Sequence, residues 1–223
     1  MLASSRFNRL PAAERGITIG DFLVPIQVGE RLSSRARHVA LVVAGALLIF
    51  LTAQVSIHLP NNPVPITGQV FGVLLVGGAL GFRRGLLATL LYVAVGLIGY
   101  PAFAEHKGGI AVIAAVTDGQ LVLGATGGYL IGFVLASALV GRLAELGWDR
   151  HIGGSLAAMI LGDAVIYVIG VPWLMAATGV SSLAAGLAMG LTPFLVWDAV
   201  KIALAAGLFP AAWWVVGRRP DER

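Results

Sequence analysis

The chain has 223 residues, of which 58% are hydrophobic and only 12% are charged, and its mean hydropathy is +0.89. Soluble domains carry about 25% charged residues, so this chain has too little charge to cover a soluble surface, which argues against a soluble enzyme. The apolar content excludes a disordered chain, and the absence of cysteine excludes a disulfide scaffold. The composition predicts a multi-pass membrane protein.

The chain has a net charge of +4, and 13 of its 15 Lys and Arg residues lie in four clusters. These clusters lie before position 38, at 83–84, at 142–150 and after position 217. Cations placed between long apolar stretches are topology signals rather than a stripe that follows a phosphate backbone. We therefore predict the lipid bilayer as a partner, and no nucleic acid.

Continuous apolar runs predict helical membrane spans, because β-barrel strands would alternate apolar and polar residues instead. Six spans are predicted, at 39–57, 67–82, 85–104, 119–141, 152–177 and 191–216. With six spans all four basic clusters fall on one side, and the positive-inside rule makes that side cytoplasmic. The predicted fold is an all-α bundle of six transmembrane helices with both termini in the cytoplasm.

The first 37 residues lack the apolar core and cleavage site of a signal peptide. We therefore predict a cytoplasmic N-terminal tail at 1–37, a six-helix membrane domain at 38–217 and a cytoplasmic C-terminal tail at 218–223. Small residues such as Gly77, Gly81 and Gly85 recur four apart, a spacing that lets membrane helices approach closely.

A Pro/Asn-rich segment at 58–68 connects the first two predicted spans on the outer side. Its prolines, Pro63 and Pro65 among them, stiffen the chain and prevent helix formation. The loop can be a lid over a polar site or a simple turn. Gln69 follows just inside the next span, where it can donate and accept hydrogen bonds.

Three formal charges lie inside predicted spans, where a charge costs several kcal/mol: Asp163, Asp198 and Lys201. Asp198 and Lys201 are three residues apart, so they share one helix face and can pair. The pair can form a polar substrate site in the outer part of the last span, or it can only hold helices together. Asp163 has no cation within one helical turn in sequence.

Enzyme functions find little support in the sequence. It has no GxxxxGK[ST] phosphate loop, no HExxH motif and no clustered histidines, so we predict neither ATP hydrolysis by a P-loop nor a metal site. An intramembrane aspartyl protease that uses Asp163 and Asp198 stays open as an unfavoured alternative. Lys201 would keep Asp198 ionised, which is unsuited to a shared-proton dyad.

Four segments together resemble the BioY family, the biotin-specific S components of energy-coupling factor transporters. They are PVPITGQVFGVLLVGGALGFRRG at 63–85, LLYVAVGLIGYPAFA at 90–104, TGGYLIGF at 126–133 and PFLVWDAVK at 193–201. The resemblance covers about residues 38–216. It implies a transporter subunit rather than an enzyme, in the bacterial plasma membrane, with biotin as transported ligand and no cofactor. Its implied partners are a transmembrane coupling subunit and two ATPase subunits.

The resemblance also implies roles for individual residues. The Asp-x-x-Lys pair of the family falls on Asp198 and Lys201, which suit the ureido ring or the carboxylate of biotin. Pro63, Val64 and Pro65 match the lid, and Gln69 matches the pocket wall. The remaining candidates pack the apolar part of biotin or dock the coupling subunit, and they are Tyr92, Phe103 and Tyr129 for packing, and Ala36, Ala40 and Ala44 for docking.

The chain departs from the family pattern around its second outer loop. Residues 105–125 are longer than the usual link, and Ala125 stands where proline is expected. Leu130 follows Tyr129 where some relatives carry a basic ligand residue. We therefore predict that Lys107 replaces that cation for the carboxylate. An S component for another small vitamin is the alternative within the same structural class.

Overall fold

A computed structural model describes residues 17–23 and 33–216, so most of both predicted tails lies outside the described residues. The helices in these ranges are α1 Gly20–Leu23, α2 Ser34–Gln54, α3 Gln69–Leu97, α4 Gly127–Glu145, α5 Ile152–Thr178, α6 Leu183–Gly190 and α7 Leu195–Val216. The strands are β1 Ser56–Ile57, β2 Ile66–Thr67, β3 Ala114–Thr117 and β4 Gln120–Leu123.

Five of these helices, α2, α3, α4, α5 and α7, are long and apolar enough to cross a membrane. The prediction of an all-α membrane bundle is confirmed. Each helix contributes a fully buried apolar side chain to a shared core, and these are Ile49, Leu74, Val140, Ile166 and Phe209. Other large apolar side chains point outward, as a lipid-facing surface requires.

The helix α3 reverses direction at Gly81, whose φ of 81° and ψ of −178° are not helical. A methyl group placed on Gly85 would lie 3.0 Å from Cα of Gly77, whereas a straight helix separates such residues by about 12 Å. The side chains of Gln69 and Tyr92 are likewise in contact. The arms 69–80 and 82–97 therefore form a helical hairpin, at the boundary between the predicted second and third spans. The count of six crossings and the cytoplasmic side of both termini stay predictions.

The reversal of α3 is held by the end of α4. The backbone N–H of Phe82 donates to Oε1 of Glu145 at 2.9 Å, which caps the start of the second arm. Gly141 lies so close that a Cβ there would approach the carbonyl carbon of Gly81 to 2.5 Å. The hairpin turn can pack against α4 only because position 141 has no side chain.

The predicted fourth span at 119–141 began too early, since α4 starts at Gly127. Residues before it form an antiparallel hairpin in which Thr117 pairs with Gln120. The two loop residues, Asp118 and Gly119, have φ of 52° and 76°, which is the geometry of a tight two-residue hairpin turn. The segment at 178–190, between the predicted fifth and sixth spans, contains the short helix α6.

The short α1 lies across the end of the bundle that carries the α3 turn. The Asp21 carboxylate accepts a hydrogen bond from Arg84 at 2.8 Å. Burial pushes the pKa of Asp21 up, but the bonds from Thr18 and Arg84 outweigh burial and leave that pKa below its usual value. The ring of Phe22 meets Trp213 edge to face at 5.8 Å. Residues 17–23 thus tie the α3 turn to the end of α7.

Candidate functional site

A cavity opens at the end of the bundle opposite the α3 turn. The first turns of α3, α4 and α7, the C-terminal half of α5 and two loops form its wall. It has about 670 Å³ of space when its open mouth is counted. Most of its lining is apolar, with a few polar side chains that converge from different helices.

The charged centre of the cavity is the pair formed by Asp198 and Lys201. Lys201 Nζ donates to Asp198 Oδ1 at 2.7 Å, as their spacing on one helix face predicted. Asp198 is 2% exposed, and the side chain of Lys201 is 15% exposed. Both residues line the cavity, so the pair is available to a ligand as well as to its own helix. Removal of one partner of such a buried pair strongly destabilises the folded protein, because the other charge is left buried without a partner.

Tyr167 of α5 completes this centre. Its hydroxyl donates to Asp198 Oδ2, so both oxygens of the carboxylate have a donor. Tyr167 also lines the cavity, and its ring lies 6.4 Å from that of Phe194. Neither residue was predicted. The sequence did carry one signal for Tyr167, since Asp163 lies one helical turn earlier on the same face of α5. Phe194 lies in the PFLVWDAVK motif but carries no polar group.

Asp163 lies one helical turn before Tyr167 on α5 and is 8% exposed. One of its oxygens, Oδ1, has no hydrogen-bond partner within the described part of the chain. Asp163 does not line the cavity, and Asp198 is already committed to Lys201 and Tyr167. This arrangement differs from a dyad of two aspartates that share a proton.

Aromatic rings form much of the remaining wall. Tyr129 and Phe103 both line the cavity, as predicted for packing residues. The Tyr129 ring meets Tyr167 at 6.2 Å and an angle of 88°. Its hydroxyl donates to the carbonyl of Gly190 at 2.8 Å, so Tyr129 presents its ring rather than its hydroxyl to the cavity.

Gln69 lines the cavity, whereas Tyr92 lies behind it and is 2% exposed. The Gln69 side-chain amide donates to the Tyr92 hydroxyl at 2.5 Å, and that hydroxyl donates to the carbonyl of Ala102 at 3.1 Å. Thr67 donates to Gln69 Oε1 at 3.1 Å. Tyr92 therefore orients Gln69 and does not reach the cavity itself.

The Pro-rich loop covers one side of the cavity. Val64 and Pro65 line it, while Pro63 does not. The loop is anchored by Asn62, whose side-chain amide donates to the carbonyl of Met189 at 2.9 Å. Asn62 Oδ1 also accepts from the backbone N–H of Val64 at 3.0 Å. One buried side chain thus connects the predicted lid to the end of α6.

Lys107 lies at the mouth of the cavity and its side chain is 57% exposed. Its Nζ is 2.6 Å from Oε2 of Glu105. The hydrogen bond from Lys107, joined by one from His58, holds the pKa of Glu105 below its usual value. Leu130 also lines the cavity and is 3% exposed, so this stretch of wall has no cation of its own.

The predicted docking residues lie on an exposed face of α2. Ala36, Ala40 and Ala44 are all exposed and lie four residues apart on one helix face. Among residues 17–23 and 33–216, no three His, Asp or Glu side chains come together in a way that could hold a metal ion.

The cavity suits a small molecule with two different ends. The deep pair of Asp198 and Lys201 offers acceptor and donor atoms to a polar group, and the aromatic wall suits an apolar body. Lys107 at the wetter mouth can bind an anionic tail without full loss of hydration.

Known proteins share both the sequence pattern and the fold. A model of the BioY family matches residues 27–218. The "Biotin transporter BioY" of Thermotoga maritima is 35% identical over 166 residues, which are 74% of this chain and 90% of that protein. The "Probable biotin transporter BioY" of Pyrococcus horikoshii is 37% identical over 171 residues, 77% of this chain and 93% of that protein.

A solved structure is also similar, the crystal structure of the S-component for biotin from an ECF-type ABC transporter. The two chains superpose with a TM-score of 0.70 at 24% sequence identity, over 81% of this chain and 93% of that one. At this identity the likeness demonstrates a common fold.

Proposed function

The chain belongs to the BioY family, and we propose that it is the high-affinity biotin-binding S component of an energy-coupling factor transporter in the bacterial plasma membrane. The family is one of transporter components rather than enzymes, which removes the aspartyl protease alternative. The observation that carries the proposal is the Asp198–Lys201 pair, buried in the lipid-facing bundle yet open to the cavity.

The ureido ring of biotin is proposed to bind at this pair. A ureido group has two N–H donors and one carbonyl acceptor, and Asp198 and Lys201 offer the complementary atoms side by side. Tyr167 supports this placement because its bond to Oδ2 fixes the carboxylate. Binding of the ring would break the hydrogen bond between Lys201 and Asp198. The ureido N–H groups would then donate to Asp198, and the ureido carbonyl would accept from Lys201, so both side chains would keep a partner.

The apolar thiophene ring and valeryl chain are proposed to run toward the mouth. Phe103, Leu130 and Phe133 line that route and are each less than 5% exposed. The chain carboxylate would then reach Lys107. A carboxylate is more easily bound at this half-hydrated position than next to Asp198, where two anions would be buried together.

Transport is proposed to require partners. The exposed Ala36, Ala40 and Ala44 on α2 support docking to a transmembrane coupling subunit, because small residues four apart permit close helix contact. Two ATPase subunits would supply the energy, since the sequence has no P-loop.

Competition binding to the purified full chain tests the substrate. Radiolabelled biotin is bound in detergent or nanodiscs and then challenged with excess unlabelled biotin, thiamine or riboflavin. We expect displacement by biotin alone. If a folded chain bound another vitamin but no biotin, the biotin proposal would be contradicted, while the assignment as an S component would still hold.

A further inference from the structure

A single carboxylate at the rim of the cavity contacts a histidine from one loop and a lysine from another. Glu105 Oε1 lies 2.8 Å from Nδ1 of His58, and its Oε2 lies 2.6 Å from Nζ of Lys107. His58 follows β1 in the loop that leads to the lid, whereas Glu105 and Lys107 lie in the second outer loop. The two loops on either side of the mouth are therefore joined through Glu105.

The backbone of this turn aims the carboxylate. Glu105 and His106 both have φ of 58°, a left-handed conformation that is uncommon outside glycine. The turn is closed by backbone hydrogen bonds from Lys107 to Ala104 at 3.2 Å and from Phe103 to Lys107 at 2.9 Å. These bonds hold the turn in a conformation that places Glu105 on the rim and Lys107 toward the cavity.

Lys107 can therefore interact either with Glu105 or with a ligand in the cavity. It lines the cavity, while Glu105 does not. An anionic ligand group that enters the cavity competes with Glu105 for Lys107. Exposed ion pairs contribute little free energy, so this exchange is accessible at low cost. Because His58 contacts the other oxygen, Glu105 keeps a partner after Lys107 leaves it.

We propose that Glu105 sets the affinity of the cavity for the substrate carboxylate by competing for Lys107, with His58 as the alternative partner that makes Lys107 available. The inference rests on the proposed biotin-binding function and adds to it a rim residue outside the predicted site. Glu105 acts here as a positioning residue, since it acts on the ligand only through Lys107.

The experiment measures Kd for biotin and for neutral biotin amide, with the full chain in nanodiscs at pH 7.5. Wild type is compared with Glu105→Gln, Lys107→Met and the double variant. We expect Glu105→Gln to tighten biotin by about two- to fivefold and to leave the amide unchanged. In the Lys107→Met background the Glu105 substitution should have no effect on biotin.

Asp118→Asn is the matched control, because Asp118 is an exposed carboxylate in the same outer segment, at the turn between β3 and β4. It should change neither Kd. His58→Ala removes the second contact of Glu105, so it should weaken biotin binding at pH 7.5, while His106→Ala should leave both Kd values unchanged.

Three results would overturn the inference: unchanged or weaker biotin binding by Glu105→Gln, an equal effect on the amide, or an equal effect of Asp118→Asn. The unchanged amide affinity also reports that the variant is folded. Failure of wild type to bind either ligand would instead contradict the proposed function itself, so the two failures are distinguishable.

Discussion

The hydroxyl of Tyr167 donates to Oδ2 of Asp198, which joins the middle of α5 to the first turn of α7. Because Lys201 occupies the other oxygen, the carboxylate is held in one orientation. Two helices that are separate in sequence therefore build one binding centre, and its geometry depends on a residue that carries no formal charge.

Removal of this hydroxyl should weaken ligand binding without loss of the fold. We expect Tyr167→Phe to raise the Kd for biotin by about tenfold or more, because a hydrogen bond to a buried carboxylate contributes about 1.5–3 kcal/mol. Tyr129→Phe is the matched control, since its hydroxyl bonds to Gly190 and only its ring faces the cavity. It should change Kd by less than about threefold. Equal effects of the two substitutions would contradict the role given to Tyr167.

The predicted lid should depend on Asn62. The substitution Asn62→Ala removes the hydrogen bonds to Met189 and Val64, so the loop loses its buried anchor. We expect labelled biotin to dissociate about five- to tenfold faster in a chase experiment. Asn61→Gly serves as control, because Asn61 is exposed and its φ of 60° suits glycine. Equal dissociation rates for both variants would argue against a lid.

Close packing at the α3 turn should make position 141 intolerant of any side chain. Gly141→Ala places a Cβ 2.5 Å from the carbonyl carbon of Gly81, so we expect a clear fall in the midpoint of thermal unfolding. Gly153→Ala on α5 is the comparison, because a Cβ there meets nothing within 4 Å. That substitution should be neutral or slightly stabilising, as alanine favours helix. Equal midpoints would contradict this packing.

Asp149 should give the protein a measurable pH dependence. Burial raises the pKa of Asp149 to about 6, although Trp213 donates to Oδ2 at 2.6 Å. Between pH 4 and 6 the folded state therefore binds a proton that the unfolded chain has released. Its free energy of unfolding should fall as pH rises through this window, by at most about 3 kcal/mol.

The check is thermal unfolding of wild type and Asp149→Asn from pH 4.5 to 7.5. The difference between the midpoint of wild type and that of Asp149→Asn should change with pH up to about pH 6 and then stay constant. The lowered pKa values of Asp21 and Glu105 act in the opposite direction, toward acid loss of stability, and cancel in this difference. Parallel midpoints across the range would show that Asp149 is not the group responsible.

Local spacing was enough to predict part of the site. The i, i+3 relation of Asp198 and Lys201 fixes their contact on any helix, and the structure has it at 2.7 Å. The basic pair at 83–84, at the predicted boundary between the second and third spans, lies two residues after the α3 turn at Gly81. Placement of Tyr167 was missed: Asp163, four residues earlier, marks its face of α5 as polar, but sequence alone does not show that this face meets α7.

The region before α4 shows a different limit. Residues 119–123 are apolar enough to extend a span, so hydropathy alone assigned them to a helix. The Asp118–Gly119 pair was the signal for a hairpin, because both residues readily adopt positive φ. Glu105 was missed for another reason: its contact with His58 joins residues 47 positions apart, which no local pattern encodes.

Equilibrium binding of biotin to the purified full chain is the most direct test of the proposed function. Asp198→Asn should weaken binding about 30-fold or more, since loss of one member of a buried, hydrogen-bonded charge pair costs about 2–5 kcal/mol. Asp163→Asn makes the same chemical change on the neighbouring helix, outside the cavity lining, and should bind nearly as wild type does. Wild-type affinity in Asp198→Asn, or no biotin binding by a folded wild-type chain, would contradict the assignment of this cavity to biotin.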